Sequence, residues 1–378
     1  MADPPSPPPP GARRSAALMA LAAAALFGFS TPLSKLLIGD GVEPLMLAGL
    51  LYVGSALGLT LIHAARRPLR LAAEAPVRKA DWPWLALVIA SGGVAGPALL
   101  MIGLAGASAS LGALLLNVEG VATMAIAWLV FREHADRRVL TGAAAILGGA
   151  MVLAWPGGAV GAVGWPALAI VGACLAWAID NNLTRKLSGA DPVQLGAIKG
   201  VTAGGVNLAL ALARGAALPK AGLVLAAMTV GAFGYGVSVV LFILALRGLG
   251  AARTSAYFSC APFLGAALAL ALFHEPVTVQ LVLAAALMGV GVWLHLSERH
   301  DHEHRHEAMA HDHRHVHDAH HQHRHGPDDP PGEPHVHWHR HEPLRHAHPH
   351  YPDLHHRHGH DGHGRGDGHT HQRGEKEP

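Results

Sequence analysis

The chain has 378 residues, of which 51% are hydrophobic, only 14% are charged and 45 are glycine. This composition is typical of a polytopic helical membrane protein, because small residues let helices pack closely where lipid supplies no hydrophobic drive. The only cysteines, Cys174 and Cys260, both lie in apolar stretches, which excludes a disulfide framework and a CxxC metal site. The formal charge of +2 identifies no partner, because 30 histidines titrate near neutral pH.

Ten apolar windows follow a Pro-rich opening, residues 1–14, which we expect to be disordered. Each window is close to the roughly 20 residues that a helix needs to cross a bilayer. The predicted spans are 15–37, 44–64, 83–104, 108–131, 138–156, 164–184, 192–213, 222–246, 251–273 and 277–297.

An internal repeat divides these spans into two halves. A shift of 142 residues places Phe131-Arg132-Glu133 on Phe273-His274-Glu275. The sequence therefore predicts an all-α fold of ten transmembrane helices in two five-helix repeats, residues 15–156 and 164–297. Because five is odd, the second repeat enters the membrane inverted relative to the first, as in many secondary transporters.

Loop charges predict the orientation. If the N-terminus is cytoplasmic, the inner segments before the tail hold fourteen Lys and Arg residues, and the outer segments hold three. The inner ones are Arg13, Arg14, Arg66, Arg67, Arg70, Arg78, Lys79, Arg132, Arg137, Arg138, Arg185, Lys186, Arg247 and Arg253, and the outer ones are Lys35, Arg214 and Lys220. The excess of positive charge inside predicts that both termini are cytoplasmic.

The fourth predicted span carries Asn117 and Glu119 near its middle. A carboxylate at that depth costs several kcal/mol unless it is paired or faces water, so an intramembrane acid is by default a functional hypothesis. The repeat has Ala261 in the place of Glu119. Glu119 either binds a proton or a cationic substrate, or is a permanently neutral acid inside its own bundle. Asn117 lies about 200° away around an ideal helix, so we do not expect both to point squarely into one cavity.

Asp180 and Lys199 are the ionisable residues of the sixth and seventh predicted spans. At 1.5 Å per residue both lie roughly 8–11 Å deep in adjacent antiparallel helices, so the spacing predicts an ion pair. Structural neutralisation is the favoured interpretation, and solute or proton binding at the inner mouth is the alternative.

Short motifs resemble those of a known family. They are the aromatic-plus-small starts FGFSTPLSKLL and WAIDNNLTRKL of the first and sixth spans, and FxE after the fourth and ninth. With the repeats, they resemble EamA-type transporters of the drug/metabolite transporter superfamily over residues 15–297. The resemblance implies a carrier of the bacterial inner membrane, often an exporter, whose third, fourth, eighth and ninth spans line a cavity. Gly120 departs from the family pattern, in which proline is expected, as at Pro262.

The same resemblance implies cavity-lining roles for the polar residues of the eighth and ninth spans. These are Tyr235 and Ser238 in the eighth, and Tyr257, Ser259 and Cys260 in the ninth. The alternative for each of them is a packing residue. For Glu133 and Glu275, at span ends, we favour an interfacial or capping role.

The tail, residues 298–378, holds 26 of the 30 histidines and is expected to be cytoplasmic and largely disordered. Two-residue spacing places imidazoles on one side of an extended chain, and neutral imidazole binds Zn²⁺, Ni²⁺ and Co²⁺. The candidate ligands are His302, His304, His306, His311, His313, His315, His317, His335, His337, His339 and His341. The alternative is a solvated low-complexity tail that binds no metal.

No P-loop, Ser/His/Asp arrangement or paired hydrolytic acids occur, so we predict a carrier that needs no cofactor and is not an enzyme. The predicted function is secondary export of a small solute, with a metal-binding tail. Two alternatives stay open: export of a transition-metal ion or its chelate, and a membrane-tethered metal buffer or sensor. Acidic residues offset the arginines of the tail, so nucleic acid is not expected as a partner, whereas the lipid bilayer is.

Overall fold

The structure is a computed structural model. It describes residues 10–66, 81–131, 137–155, 164–184, 187, 192–249 and 251–296, together with the backbone of four short strands after residue 302. Side chains are described within the helical ranges except at 10–13, 63, 65, 66, 131, 192, 247, 248, 251, 252 and 296.

The described residues before the tail form ten helical units, which we number helix 1 to helix 10. The first five are Pro10–Gly39, Pro44–Arg66, Trp82–Gly106, Ala109–Phe131 and Arg137–Ala154. The second five are Trp165–Thr184, Pro192–Ala213, Ala221–Leu249, Ala251–Phe273 and Val279–Leu296. Within the described ranges, nine of them contain a stretch long and apolar enough to cross a membrane, and the tenth, Val279–His295, is a shorter apolar helix. The prediction of an all-α polytopic membrane protein is confirmed.

The two halves pack into each other. Helix 1 lies against helices 8 and 9 of the second half, and helix 6 lies against helices 3 and 4 of the first half. Helix 2 packs along helix 7, and helix 5 along helix 10. Every one of these pairs joins the two halves, and they share a core that includes Met46, Leu51, Leu104 and Ile170, all fully buried.

Four helices are irregular at matching places in the two halves. Helix 3 contains a π-helical segment at Ile89–Ala95, and helix 8 contains one at Ala232–Val237. Helix 4 is interrupted at Leu116, between the α-helices Ala109–Leu115 and Asn117–Phe131. Helix 9 is interrupted between the α-helices Ala251–Phe258 and Ala261–Phe273. Helix 4 is thus interrupted although it has Gly120 where helix 9 has Pro262.

Side chains from other helices bind the carbonyl groups of the π segment in helix 3. The Gly92 carbonyl accepts hydrogen bonds from the Tyr52 hydroxyl at 2.8 Å and from Trp177 Nε1 at 2.9 Å. The Gly93 carbonyl accepts one from Asn207 Nδ2 at 3.4 Å. An unpaired carbonyl costs several kcal/mol in lipid, so these bonds make the irregular segment tolerable there.

One end of the bundle is tied together by two charged side chains, and we call it the Glu275 end. The Glu275 carboxylate, in the loop after helix 9, accepts from the backbone N–H groups of Ala109 at 2.8 Å and Ser110 at 3.1 Å. Lys35 Nζ donates to the carbonyl groups of Leu104 at 2.7 Å and Ala105 at 3.2 Å. Glu275 therefore caps the start of helix 4, as expected, while Lys35 caps the end of helix 3.

The tail, which the sequence predicts to be largely disordered, contains four short strands. They are Glu303–Arg305, Met309–His315, His335–His341 and Arg345–Ala347, which we number β1 to β4. Strand β1 pairs with β4 and β2 pairs with β3, both antiparallel. The other residues from 297 onward lie outside the described part of the chain.

Close helix packing makes a matched pair of glycine substitutions informative. A Cβ added at Gly54 of helix 2 would lie 2.6 Å from Met228 Cα, whereas one added at Gly205 of helix 7 would meet nothing within 4 Å. We therefore expect Gly54→Ala to cost about 1–3 kcal/mol by overpacking, and Gly205→Ala to be neutral or stabilising. Thermal unfolding in detergent, followed by size-exclusion chromatography, measures both, and equal stability of the two variants would contradict the packing at Gly54.

Candidate functional site

A cavity of about 280 Å³ lies beside Glu119, and we call it the acidic cavity. Its walls come from helices 1, 4, 5, 8, 9 and 10. The lining residues are Phe27, Leu116, Asn117, Glu119, Gly120, Ile146, Phe242, Ser255, Phe258, Ser259, Ala261, Pro262, Val292 and His295. Leu116 and Ser259, at the interruptions of helices 4 and 9, are both in this wall, so irregular backbone lies beside cavity space.

The Glu119 carboxylate has a single described polar partner on another helix. Asn181 Nδ2 of helix 6 donates to Glu119 Oε1 at 2.9 Å, and the same amide lies 3.4 Å from Thr123 Oγ1. The neighbouring Asn182 donates instead to the carbonyl groups of Thr123 and Ala178. An amide can hold either the charged or the neutral carboxyl, so this arrangement allows Glu119 to gain and lose a proton or a cation without losing its partner.

Aromatic rings form the wall around the acid. The centroids of Phe258 and Phe27 are 5.4 Å apart, and those of Phe258 and Phe242 are 4.9 Å apart. The sequence pattern does not distinguish these three residues, although Phe27 begins the FGFS motif in the second half of helix 1. Ring faces attract cations, so a carboxylate among three Phe side chains suits a ligand that has both a positive charge and an apolar body.

His295, at the end of helix 10, is a second titratable group in the acidic cavity. Its Nε2 lies 2.9 Å from the Val139 carbonyl. The ring fits against helix 5 because residue 142 is glycine, where a Cβ would lie 2.9 Å from Nε2. Sequence reasoning missed this histidine. A lone His near a span end gives no signal of its own, and its position depends on the packing of helix 10 on helix 5.

A second cavity of about 280 Å³ contains Lys199, and we call it the ion-pair cavity. Its lining residues are Tyr52, Ser55, Leu59, Leu85, Val88, Thr184, Leu187, Leu195, Gly196, Lys199, Gly200, Tyr235 and Val239. Lys199 Nζ donates to the buried Asp180 carboxylate, which also accepts from Thr184 Oγ1 at 3.1 Å. The predicted ion pair is therefore present, with a further hydrogen bond to Asp180 from within helix 6.

Tyrosine and phenylalanine side chains lie between the two cavities. The Tyr235 ring, in the ion-pair cavity, is 5.8 Å from the Phe27 ring of the acidic cavity and 5.8 Å from the Tyr52 ring. A change in the position of Tyr235 therefore affects the walls of both cavities.

The remaining predicted residues separate into two groups. Asn117 and Ser259 line the acidic cavity, although the Asn117 amide donates to the Leu114 carbonyl at 2.8 Å and Ser259 Oγ to the Ala256 carbonyl at 2.7 Å. Asn117 and Glu119 thus both line this wall, but the Asn117 amide is bonded within helix 4, whereas the Glu119 carboxylate is bonded to Asn181 of helix 6. Tyr257 and Cys260 line neither of the two described cavities, and Cys260 Sγ donates to the Tyr257 carbonyl at 2.8 Å. Ser238 is buried and donates to the Gly234 carbonyl.

The predicted metal ligands lie outside the residues whose side chains are described. Strands β1, β2 and β3 contain His304, His311, His313, His315, His335, His337, His339 and His341. The other three, His302, His306 and His317, lie outside the described residues. Among side chains that the structure does describe, no group of three or more His, Cys, Asp or Glu residues could hold a metal ion.

The fold and its two cavities between interlocked halves are those of a polytopic membrane transporter. The chain belongs to the EamA-like transporter family, whose model matches residues 14–155 and again residues 164–297. The predicted resemblance to this family is therefore confirmed.

Similar proteins include a curated relative and a solved structure. A protein of Methanothermobacter thermautotrophicus described as an uncharacterized transporter is 26% identical over 275 residues, which is 68% of this chain and 79% of that protein. A solved crystal structure with 17% sequence identity superposes with a TM-score of 0.54, covering 75% of this chain and 96% of that one. At that identity the superposition shows a shared fold only.

The ion pair gives a coupled prediction. Lys199→Met or Asp180→Leu leaves one uncompensated charge in a low dielectric, which costs about 3–5 kcal/mol, whereas the double variant leaves none. We expect each single variant to lower the yield of folded protein and the double variant to recover it. Fluorescence-detected size-exclusion chromatography of the three variants measures this, and additive losses would mean that the pair does not act as a unit.

Proposed function

We propose that this protein is a secondary-active exporter of a small solute with a cationic group, and that Glu119 binds the solute or the coupling proton. The observation that supports the proposal is the Glu119 carboxylate, held by Asn181, in a cavity walled by Phe27, Phe242 and Phe258. Charge inside the bundle is costly, and exchange of a proton for a cation at one carboxylate keeps the site neutral in both loaded states.

We further propose that the two halves rock against each other around the acidic cavity. The loop charges favour an extracytoplasmic position for the Glu275 end. In the described structure this end is tied by Glu275 and Lys35. The acidic cavity extends instead from midspan toward the opposite end, where Ser255 lies in the first turns of helix 9 and His295 in the last turn of helix 10. This arrangement is the one expected of a carrier ready to load from the cytoplasm of a bacterial cell.

The histidine-rich tail is proposed to bind transition-metal ions on the cytoplasmic side. The proposal is supported by the density of imidazoles after residue 298 and by their two-residue spacing. Export of the metal itself is the competing proposal, and it requires metal flux to depend on both the tail and Glu119.

The role of Glu119 predicts the effect of removing its charge. Glu119→Gln keeps the size of the side chain and the bond to Asn181 but cannot exchange a proton, so we expect transport to be abolished or uncoupled from pH while membrane insertion stays normal. Solute-induced proton movement in proteoliposomes, with a panel of small organic cations, measures this.

The matched control is Glu43→Gln, the same chemical change at a carboxylate that caps helix 2 through the Met46 N–H outside both cavities. Glu43→Gln should transport like the unsubstituted protein. Unchanged flux and pH dependence in Glu119→Gln would refute the coupling role.

The charged contacts at the Glu275 end predict the conformational balance. Glu275→Ala removes the acceptor for two N–H groups of helix 4, so we expect this end to open more often. A cysteine at Ala113, which is buried and whose Cβ lies near Gly265 of helix 9, reports the opening. In a background without Cys174 and Cys260, an impermeant maleimide should label Ala113→Cys faster when Glu275 is replaced.

The control for this labelling is Glu43→Ala, which removes a cap within its own loop and should not raise the labelling rate. Equal labelling with and without Glu275 would contradict the closure.

A further inference from the structure

Strands β2 and β3 bring two separate runs of histidines side by side. The two strands are antiparallel over seven residues each, and residues 316–334 connect them. The directly opposed positions are Met309 and His341, Ala310 and Arg340, His311 and His339, Asp312 and Trp338, His313 and His337, Arg314 and Val336, and His315 and His335.

This register places every histidine of both strands on the same face of the two-stranded sheet. Alternate residues of a strand share a face, and directly opposed residues of an antiparallel pair lie on the same face. One face therefore holds Met309 and the seven histidines His311, His313, His315, His335, His337, His339 and His341. The other face holds Ala310, Asp312, Arg314, Val336, Trp338 and Arg340, with no histidine. A slip of one residue would destroy this separation, so the register itself selects a histidine face.

The spacing of these positions matches the needs of a metal ion. Opposed Cβ atoms in antiparallel strands are about 4.5–5.5 Å apart. Successive positions on one face are about 6.8 Å apart along a strand, twice the rise of about 3.4 Å per residue. Zn²⁺ takes four ligands, with Zn–N distances of about 2.0–2.1 Å for histidine. Two neighbouring rungs bring together four histidine positions from two strands, which equals the number of ligands that Zn²⁺ takes.

We propose that β2 and β3 form a cross-strand histidine ladder that binds transition-metal ions between its rungs, with His313 and His337 as the central rung. This inference rests on the proposed metal binding by the tail and specifies which histidines act together. If its ligands come from both strands, one ion links residues that are far apart in sequence.

The ladder couples metal binding to folding. A lone two-stranded hairpin is at best marginally stable in water, so an ion that binds only the paired form shifts the equilibrium toward it.

Isothermal titration with Zn²⁺ at pH 7.5, on the full chain in detergent, tests the ladder. The test variant is His313→Ala with His337→Ala, which removes the central rung. The control is His320→Ala with His321→Ala, which removes the same number of histidines from the connecting segment. We expect the test variant to lose the tightest class of Zn²⁺ sites and the control to keep it.

A distance measurement tests the register without touching a histidine. Ala310 and Arg340 are opposed on the histidine-free face, so spin labels at cysteines placed there report strand pairing. With Cys174 and Cys260 replaced by alanine, we expect Zn²⁺ at pH 7.5 to narrow and shorten the distance distribution, and addition of a chelator to reverse the change.

The outcomes separate the ladder from metal binding in general. No Zn²⁺ binding by any variant would overturn both the proposed metal-binding tail and the ladder. Zn²⁺ binding that is weakened equally in the test and control variants, or that leaves the distance between 310 and 340 unchanged, would overturn the ladder alone. Loss of the tightest sites only in the test variant, together with shortening on Zn²⁺ addition, supports it.

Discussion

Lipid offers no hydrogen bonds, and this constraint decides where the bundle can be irregular. The π segments in helices 3 and 8 and the interruptions in helices 4 and 9 lie at matching places in the two halves. Where helix 3 leaves α geometry, Tyr52, Trp177 and Asn207 donate to its carbonyl groups. The interruptions of helices 4 and 9 line the acidic cavity. Irregular backbone thus occurs beside polar side chains or beside cavity space, where its carbonyl and N–H groups are not left unpaired in lipid.

The two cavities differ in charge. In the ion-pair cavity, Lys199 and Asp180 neutralise each other on adjacent helices of the second half. Glu119 has a neutral amide as its partner, contributed from the other half by Asn181. A carboxylate that is paired with a neutral group attracts an arriving cation more strongly than a carboxylate that is already neutralised by an opposite charge. This difference makes Glu119 the better candidate for the group that changes its state during transport.

Local patterns predicted the architecture well and the site only in part. Hydropathy located the ten helices, and depth counting found the ion pair of Asp180 with Lys199. Glu119 was found because a carboxylate in an apolar run is conspicuous. His295 and the three Phe side chains were missed, because their place in a wall depends on which helices meet, and residue spacing within one helix does not contain that information. The π segments were missed for the same reason, since the donors to helix 3 come from helices 2, 6 and 7.

The carbonyl partners of helix 3 also bear on how the protein is made. Helix 3 leaves the ribosome with Tyr52 already synthesised, but Trp177 and Asn207 belong to helices 6 and 7 of the second half. During synthesis of the intervening residues, helix 3 is in the membrane without two of its three donors. The carbonyl groups of helix 3 therefore gain all three donors only after helices 6 and 7 have been inserted. The two halves are synthesised one after the other, but the first half reaches its final structure only together with the second.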